Sequence, residues 1–264
     1  MDNNLSKLRN DANGTSLYLR GQPRPIGLPK GTCMTSLNST CVAETLDKLH
    51  AEAEAADHDF GGEFMARLEA SGTSVEEAVG ELIAAERSDY RAAYRDHAEH
   101  FLAVSPAYGR FLYAIARARR ATRIVEFGTS MGISTIYLAA ALRDNGGGRL
   151  ISSEIEPTKV ARARAHLDAA GLADLVEIRE GDALDTLKDV GGDVDILSID
   201  GAFSLYLPVL KLIEPRLAPG AVILGENAFA QDYLDYVRAP ANGYFSRSLD
   251  IDEGRGNELT VRVG

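Results

Sequence analysis

The spacing of apolar and polar positions changes character along the chain. From residue 42 to about 119, Glu, Ala and Leu dominate and apolar residues recur at helical spacing, as at Val79, Leu82 and Ile83. Three or four helices are expected there, the last over 105–119 with Pro106 in its first turn. From Thr122 the pattern becomes short β-branched runs at 123–127, 149–153, 176–178, 194–199 and 221–224. Helix-like stretches at 133–142, 158–170, 183–189 and 204–217 separate them. That alternation predicts βαβ crossovers and a parallel sheet with helices on both faces. Two further strands, 244–250 and 258–263, flank Gly254-Arg255-Gly256-Asn257 and read as a hairpin that closes the sheet with an antiparallel edge. Residues 1–41, rich in Asn, Gly, Pro, Ser and Thr, offer turns rather than periodicity and read as an extended arm.

Composition removes several classes of protein. A chain of 264 residues buries about three-quarters of its unfolded surface and needs no disulfide or zinc staple. The longest uncharged apolar run, 136–142, is too short to span a bilayer. Met1-Asp2-Asn3-Asn4 has no basic stretch leading into an apolar one, so a secretory signal is not expected and the cytoplasm is the expected location. The formal net charge of -11 repels a phosphate backbone, and no basic stripe with interleaved aromatics compensates, which argues against nucleic-acid partners. The arginines 117, 119, 120 and 123 fit a solvated helix end. Cys33 and Cys41 match neither zinc nor thioredoxin spacing and read as free thiols.

The chemistry begins where the first strand ends, in Glu126-Phe127-Gly128-Thr129-Ser130-Met131-Gly132-Ile133-Ser134. In an open parallel sheet, ligands bind beyond the carboxyl ends of the strands, where strand order reverses. Gly128 and Gly132 permit close approach of backbone to ligand, and the helix that follows offers free N–H groups. The second strand ends in Glu154, a carboxylate placed to accept two hydrogen bonds from a ribose diol. A dinucleotide loop needs a third glycine that this sequence lacks. The acid at Glu126 suits a cationic amino-acid moiety better than a pyrophosphate, so S-adenosylmethionine is the expected cofactor and a nicotinamide-dependent oxidoreductase the rival.

From about Ser105 onward the chain resembles the class I methyltransferases of the catechol and caffeoyl-CoA O-methyltransferase group. The resemblance rests on ordered motifs: Val104-Ser105-Pro106 with Gly109, then the Gly128 loop, Glu154, Glu180-Gly181-Asp182-Ala183, Asp200 and Asn227. It implies a seven-stranded, mostly parallel, Rossmann-like α/β sheet with a C-terminal antiparallel hairpin over residues 101–264. A helical cap over 42–100 and the arm over 1–41 precede it. It further implies that Val104 and Ser134 line the methionine part, with Glu126, Gly128, Ser130 and Gly132 around the loop. Glu154 would hold the ribose, Ile155 pack on the adenine, and Asp182 and Ala183 sit at the adenine edge. Asp200 would face the methionine amino group and the active centre.

In the resembled group an Asp after strand four and an Asp-Asn pair after strand five hold Mg²⁺, and a Lys three residues past the first Asp handles the acceptor proton. Here Asp200, Glu226 and Asn227 occupy the metal positions, so Mg²⁺ or another divalent cation is a possible cofactor. The lysine position is Phe203, which either walls an apolar acceptor pocket or packs in the core. His97 and His100 share one face of a predicted helix, and His100, nearer the cofactor motif, is a candidate base beside Asp200; solvated histidines are the plainer alternative. The expected activity is methylation of a small molecule by S-adenosylmethionine, at oxygen and with or without metal assistance. Metal-independent N- or C-methylation, and a non-catalytic binding protein on the same fold, stay open. A homodimer is usual for the group.

Overall fold

The computed structural model describes residues 35–95, 97–252 and 256–264, and within them all side chains except those of 58–69 and 76. Most of the arm expected over 1–41 lies outside those residues, as do Cys33 and positions 254 and 255 of the hairpin turn; Cys41 is an exposed free thiol.

The chain runs α1 (Thr40–Ser71), α2 (Val75–Arg95), α3 (Pro106–Arg119), β1 (Arg123–Phe127), α4 (Ile133–Asp144), β2 (Arg149–Glu154), α5 (Pro157–Ala169), β3 (Val176–Glu180) and α6 (Ala183–Thr186). It continues through β4 (Val194–Ile199), α7 (Tyr206–Ile213), β5 (Leu217–Gly225), α8 (Gln231–Arg238), β6 (Tyr244–Leu249) and β7 (Asn257–Arg262). The strands form one seven-stranded sheet in the order β3-β2-β1-β4-β5-β7-β6. β1 to β5 are parallel, and β7 joins antiparallel to both β5 and β6. The strand order therefore reverses between β1 and β4, and a crevice opens at their carboxyl ends.

Strand periodicity divides the core in two. Ile124, Ile196, Val222 and Leu224 face the layer of α3, α4 and α5, together with Leu112, Ile136 and Val160. Val125, Leu197 and Ile223 face α6, α7 and α8, together with Leu187, Val209 and Tyr233. Successive strand residues point to opposite faces, so a sheet covered on both sides needs continuous apolar strands, which is what these runs supply. α1 enters the first core through Val42, Leu46, Leu49 and Ala53, one stripe at helical spacing.

Three local features position the site. Ser105 caps α3, its hydroxyl accepting from Tyr108 N at 3.0 Å, with Pro106 at the first helical position. Gly109 lets α3 cross α4 closely, since a Cβ there would meet the Tyr137 ring at 2.2 Å. α2 begins with a capping box: Ser74 N donates to Glu77 Oε2 at 2.9 Å, and Glu77 N donates to the Ser74 hydroxyl at 3.2 Å. It breaks at Asp89 (φ -159, ψ 86), whose carboxylate accepts from Ala92 N at 3.0 Å and restarts the helix. The sequence pattern gave no sign of α8, a two-turn helix that buries only Tyr233 and Val237.

Candidate active site

Beyond the carboxyl ends of β1, β2, β3 and β4 lies a cavity of about 370 Å³. Its floor is the turn that leaves β1. Gly128 has φ +97, and a Cβ there would fall 1.9 Å from the carbonyl oxygen of Asp200. Asp200 N in turn donates to Phe127 O at 2.8 Å, so the first and fourth strand ends are pressed together and only glycine fits. Gly132, at φ +88, starts α4 but is not a lining residue. Leu102, Ser130 and Asn227 hold positive φ of 48°, 45° and 49°, and all three line the cavity. Backbone held in sparsely populated regions concentrates at functional sites, where neighbouring contacts enforce it. Here the enforcing contacts on Ser130 are its N–H to Glu154 at 2.7 Å and its hydroxyl to Phe101 O at 2.5 Å.

At one end of the cavity Glu154 closes β2, its two oxygens accepting from Ser130 N at 2.7 Å and Glu156 N at 2.9 Å. A carboxylate oxygen accepts more than one hydrogen bond, so both retain capacity for a diol. Ile155 follows it in the lining, and Lys159, 5% exposed, stands close by. Burial lowers the Lys159 pKa, against the opposing fields of Glu154, Asp57 and Glu156. Asp182 caps α6 by accepting from Leu184 N at 2.9 Å, and its other oxygen accepts from the Tyr90 hydroxyl at 2.5 Å and from Arg91. Burial and that carboxylate push the Tyr90 hydroxyl up to about 12.

Glu126 differs from the sequence expectation. It is fully buried and does not line the cavity. Its carboxylate accepts from Ser134 Oγ at 2.7 Å and from Thr135 Oγ1 and Ser152 Oγ at 2.6 Å each. Burial raises its pKa and the three hydroxyls oppose the rise. Lying beside Ile124 in the strand alternation, it points under the first turn of α4 and ties that turn to β2.

At the other end, Asp200, Gly201, Ala202, Phe203, Leu205 and Asn227 line the wall. Glu226 sits just outside the lining, 2% exposed, its carboxylate accepting from the Asn227 amide. Among the described residues no group of three or more His, Cys, Asp or Glu is placed to hold a metal. His100 also falls outside the lining; its Nδ1 lies 3.4 Å from Asp57, whose carboxylate accepts from Phe101 N and Leu102 N. The structure thus brings Val104, Gly128, Ser130, Ser134, Glu154, Ile155, Asp182, Ala183, Asp200 and Asn227 to one cavity, and leaves Glu126, Gly132, Glu226 and His100 off its surface.

The helical cap expected over 42–100 did not name the residues that α1 and α2 bring to the site. Asp57, Tyr90 and Tyr94 line the cavity from those helices. Side chains of α2 reach three segments that follow sheet strands: Asp182 after β3, Ser204 after β4 through Glu86, and Asp232 at the start of α8 after β5 through Arg87 at 3.2 Å. Neither the Glu-rich pattern nor the resemblance says which residues of that cap face inward.

A sheet of this order, with a glycine-floored crevice and an acid closing β2, is the arrangement of a class I methyltransferase. Comparison with known proteins agrees. A model described as "Methyltransferase domain" matches residues 125–228. The catechol O-methyltransferase of Niastella koreensis is 35% identical over 161 residues, covering 58% of this chain and 72% of that protein. That of Mycobacterium tuberculosis is 38% identical over 127 residues, 48% of this chain and 57% of its own length. Among solved structures, the O-methyltransferase TomG from Streptomyces achromogenes in complex with S-adenosylmethionine aligns with a TM-score of 0.58 at 27% identity, covering 65% of this chain and 86% of that one. The chain belongs to the S-adenosylmethionine-dependent methyltransferases of the catechol and caffeoyl-CoA O-methyltransferase family. That membership sets the nicotinamide-dependent rival aside.

Proposed function

We propose that the chain methylates a hydroxyl oxygen of a small acceptor with an apolar body, a catechol or related phenol, inside the cavity under α2. One observation carries this reading. A single cavity joins the ribose-type carboxylate Glu154 at the end of β2 to Asp200 and Asn227 after β4 and β5, with Phe203, Leu205 and Tyr94 as apolar and aromatic wall.

S-adenosylmethionine supplies the electrophilic methyl group when bound. The residues fit it: Glu154 keeps lone pairs that the ribose hydroxyls would use, Ile155 would offer an apolar face to the adenine, and Asp182 and Ala183 would stand at its edge. Gly128 and Ser130 would form the floor, Val104 and Ser134 the wall at the methionine part, and Asp200, which lines the same cavity, would face the amino group. Glu126 acts indirectly, by holding Ser134 and the first turn of α4 in place. Methyl transfer is an in-line displacement, so these contacts act mainly by fixing donor and acceptor at attack distance and excluding water.

Asp200, Glu226 and Asn227 are a set of two carboxylates and a carboxamide, the hard oxygen donors that Mg²⁺ takes. The fields of Asp200 and Glu226 both reach the buried hydroxyls of Tyr108 and Tyr206, adding to the rise in pKa that burial causes, so the two acids lie in one neighbourhood. A divalent cation held there would lower the pKa of an acceptor hydroxyl. Residues 42–100 serve in this reading as the cap of the site. A cytoplasmic homodimer completes the proposal; no described helix is long and apolar enough to cross a membrane.

The test is methyl transfer from S-adenosylmethionine to a panel of catechols, phenols and amines, with Mg²⁺ or with a chelator, followed by mass spectrometry of the product. O-methylated catechols or phenols are expected. Turnover confined to amines or carbon acceptors would replace the reading with N- or C-methylation.

A further inference from the structure

An acceptor hydroxyl must lose its proton as its oxygen takes the methyl group, and among the described residues lining the acceptor end there is no Lys, Arg or His. Among the lining residues the one Lys or Arg is Lys159, beside Glu154 at the ribose end. After β4, where a basic residue would reach the acceptor, the chain places Phe203. Its ring is packed at 5.8 Å from that of Tyr206 and 5.9 Å from that of Phe229.

What faces this wall comes from α2. Glu86 is fully buried although its side chain is ionisable, and it lies on a helix that sequence alone would leave solvated. Its Oε2 accepts from Ser204 N at 2.7 Å, the residue after Phe203, and its Oε1 accepts from the Tyr94 hydroxyl at 2.9 Å. Tyr94 lines the cavity together with Asp200, Phe203 and Leu205. The field of Asp200 reaches its hydroxyl. Because the Tyr94 proton is committed to Glu86, the lone pairs of the phenolic oxygen remain to accept from a ligand. A carboxylate is seldom buried without a role, since desolvation opposes its charge.

We propose that Tyr94 and Glu86 form the proton-accepting pair of this active site: Tyr94 accepts the hydrogen bond of the acceptor hydroxyl, and Glu86 receives the proton through it. The inference rests on the O-methylation reading above. In the step, the acceptor oxygen forms the new C–O bond and the electron pair of the methyl C–S bond passes to sulfur, giving S-adenosylhomocysteine. The acceptor proton moves to Tyr94 Oη as the Tyr94 proton moves to Glu86, and it returns to solvent on product release. Burial raises the Glu86 carboxyl above the ordinary carboxylate range, partly opposed by its bonds from Ser204, Tyr94 and Phe203, which makes it a stronger proton acceptor than a surface glutamate. Tyr94 is the residue in contact with the acceptor, and Glu86 acts through it.

The experiment compares wild type, Tyr94→Phe and Glu86→Gln in three measurements. Calorimetry with S-adenosylhomocysteine checks that each variant is folded and holds the cofactor, with affinities expected within about threefold of wild type. Steady-state methyl transfer to the best phenolic acceptor is expected to show kcat down about a hundredfold in both variants with KM little changed. The wild-type kcat should rise with pH through the acidic range as Glu86 loses its proton, and Glu86→Gln should lack that limb. A coloured nitrophenol bound with S-adenosylhomocysteine in metal-free buffer gives a readout apart from turnover: because Tyr94 accepts from the neutral phenol and the Glu86 charge opposes the phenolate, its phenolate absorbance should appear at higher pH in wild type than in Glu86→Gln. Undiminished kcat in both variants, or an unshifted nitrophenol titration, overturns the proposal alone. Wild-type failure on every hydroxyl acceptor, with the cofactor bound, overturns the O-methylation reading and this proposal with it.

Discussion

Replacing Gly128 by alanine tests the contact that holds the two halves of the site together. The new Cβ would sit 1.9 Å from the Asp200 carbonyl oxygen and 2.6 Å from its carbon, both backbone atoms, at φ +97. Left-handed backbone costs a non-glycine residue about 1–2 kcal/mol, and the forced shift of a packed strand end adds about 1–3 kcal/mol. Gly146 makes a control, because it too has positive φ, +101, yet a Cβ there meets nothing within 4 Å. Gly146→Ala should therefore lose only the conformational part. Urea melts of the two variants should differ by about 1–3 kcal/mol, with Gly128→Ala the less stable, and only Gly128→Ala should weaken S-adenosylhomocysteine binding in calorimetry. Equal stability of the two variants, or unimpaired binding in Gly128→Ala, would refute the claim that this approach shapes the cavity floor.

Other outcomes follow from the same structure. The raised pKa of buried Glu126 means that the native state holds its proton more tightly than the unfolded state. That contribution is full at low pH and is lost as pH climbs through the folded-state pKa, so urea melts of Glu126→Gln against wild type should move in the variant's favour between about pH 4 and neutrality. A constant difference would show that burial there is not felt. Arg238→Ala strips the two-pronged partner, at 2.9 and 2.7 Å, from Glu258, whose side chain is 1% exposed while that of Arg238 is 47% exposed. Discounted for that exposure, the loss should be about 2 kcal/mol, most of it recovered when Glu258→Gln is added; a deeper loss in the double variant would contradict the pairing.

The strands were legible because their apolar runs are short, β-branched and bounded by turn residues. β1 and β4 fall at 123–127 and 194–199, as the pattern predicts, whereas α8, with one buried pair at Tyr233 and Val237, leaves too little periodicity to be seen. The glycine loop and Glu154 were legible too, since position at a strand end fixes which way they face. The direction Glu126 faces was hidden for the same physical reason: residue type alone does not carry the alternation that turns it beneath α4. The part played by Tyr90, Tyr94 and Glu86 was hidden because it depends on α2 docking across segments far along the chain, as in the Arg87–Asp232 pair. No local pattern encodes that contact.

The measurement closest to the central claim is calorimetric titration of the protein with S-adenosylhomocysteine, in wild type and Glu154→Ala, with and without Mg²⁺. Loss of two charge-assisted hydrogen bonds to the ribose should cost about 3 kcal/mol, roughly a hundredfold in affinity. The account predicts saturable one-site binding to wild type that falls by that factor in the variant. Absence of binding to wild type, or equal affinity in the two proteins, would contradict it.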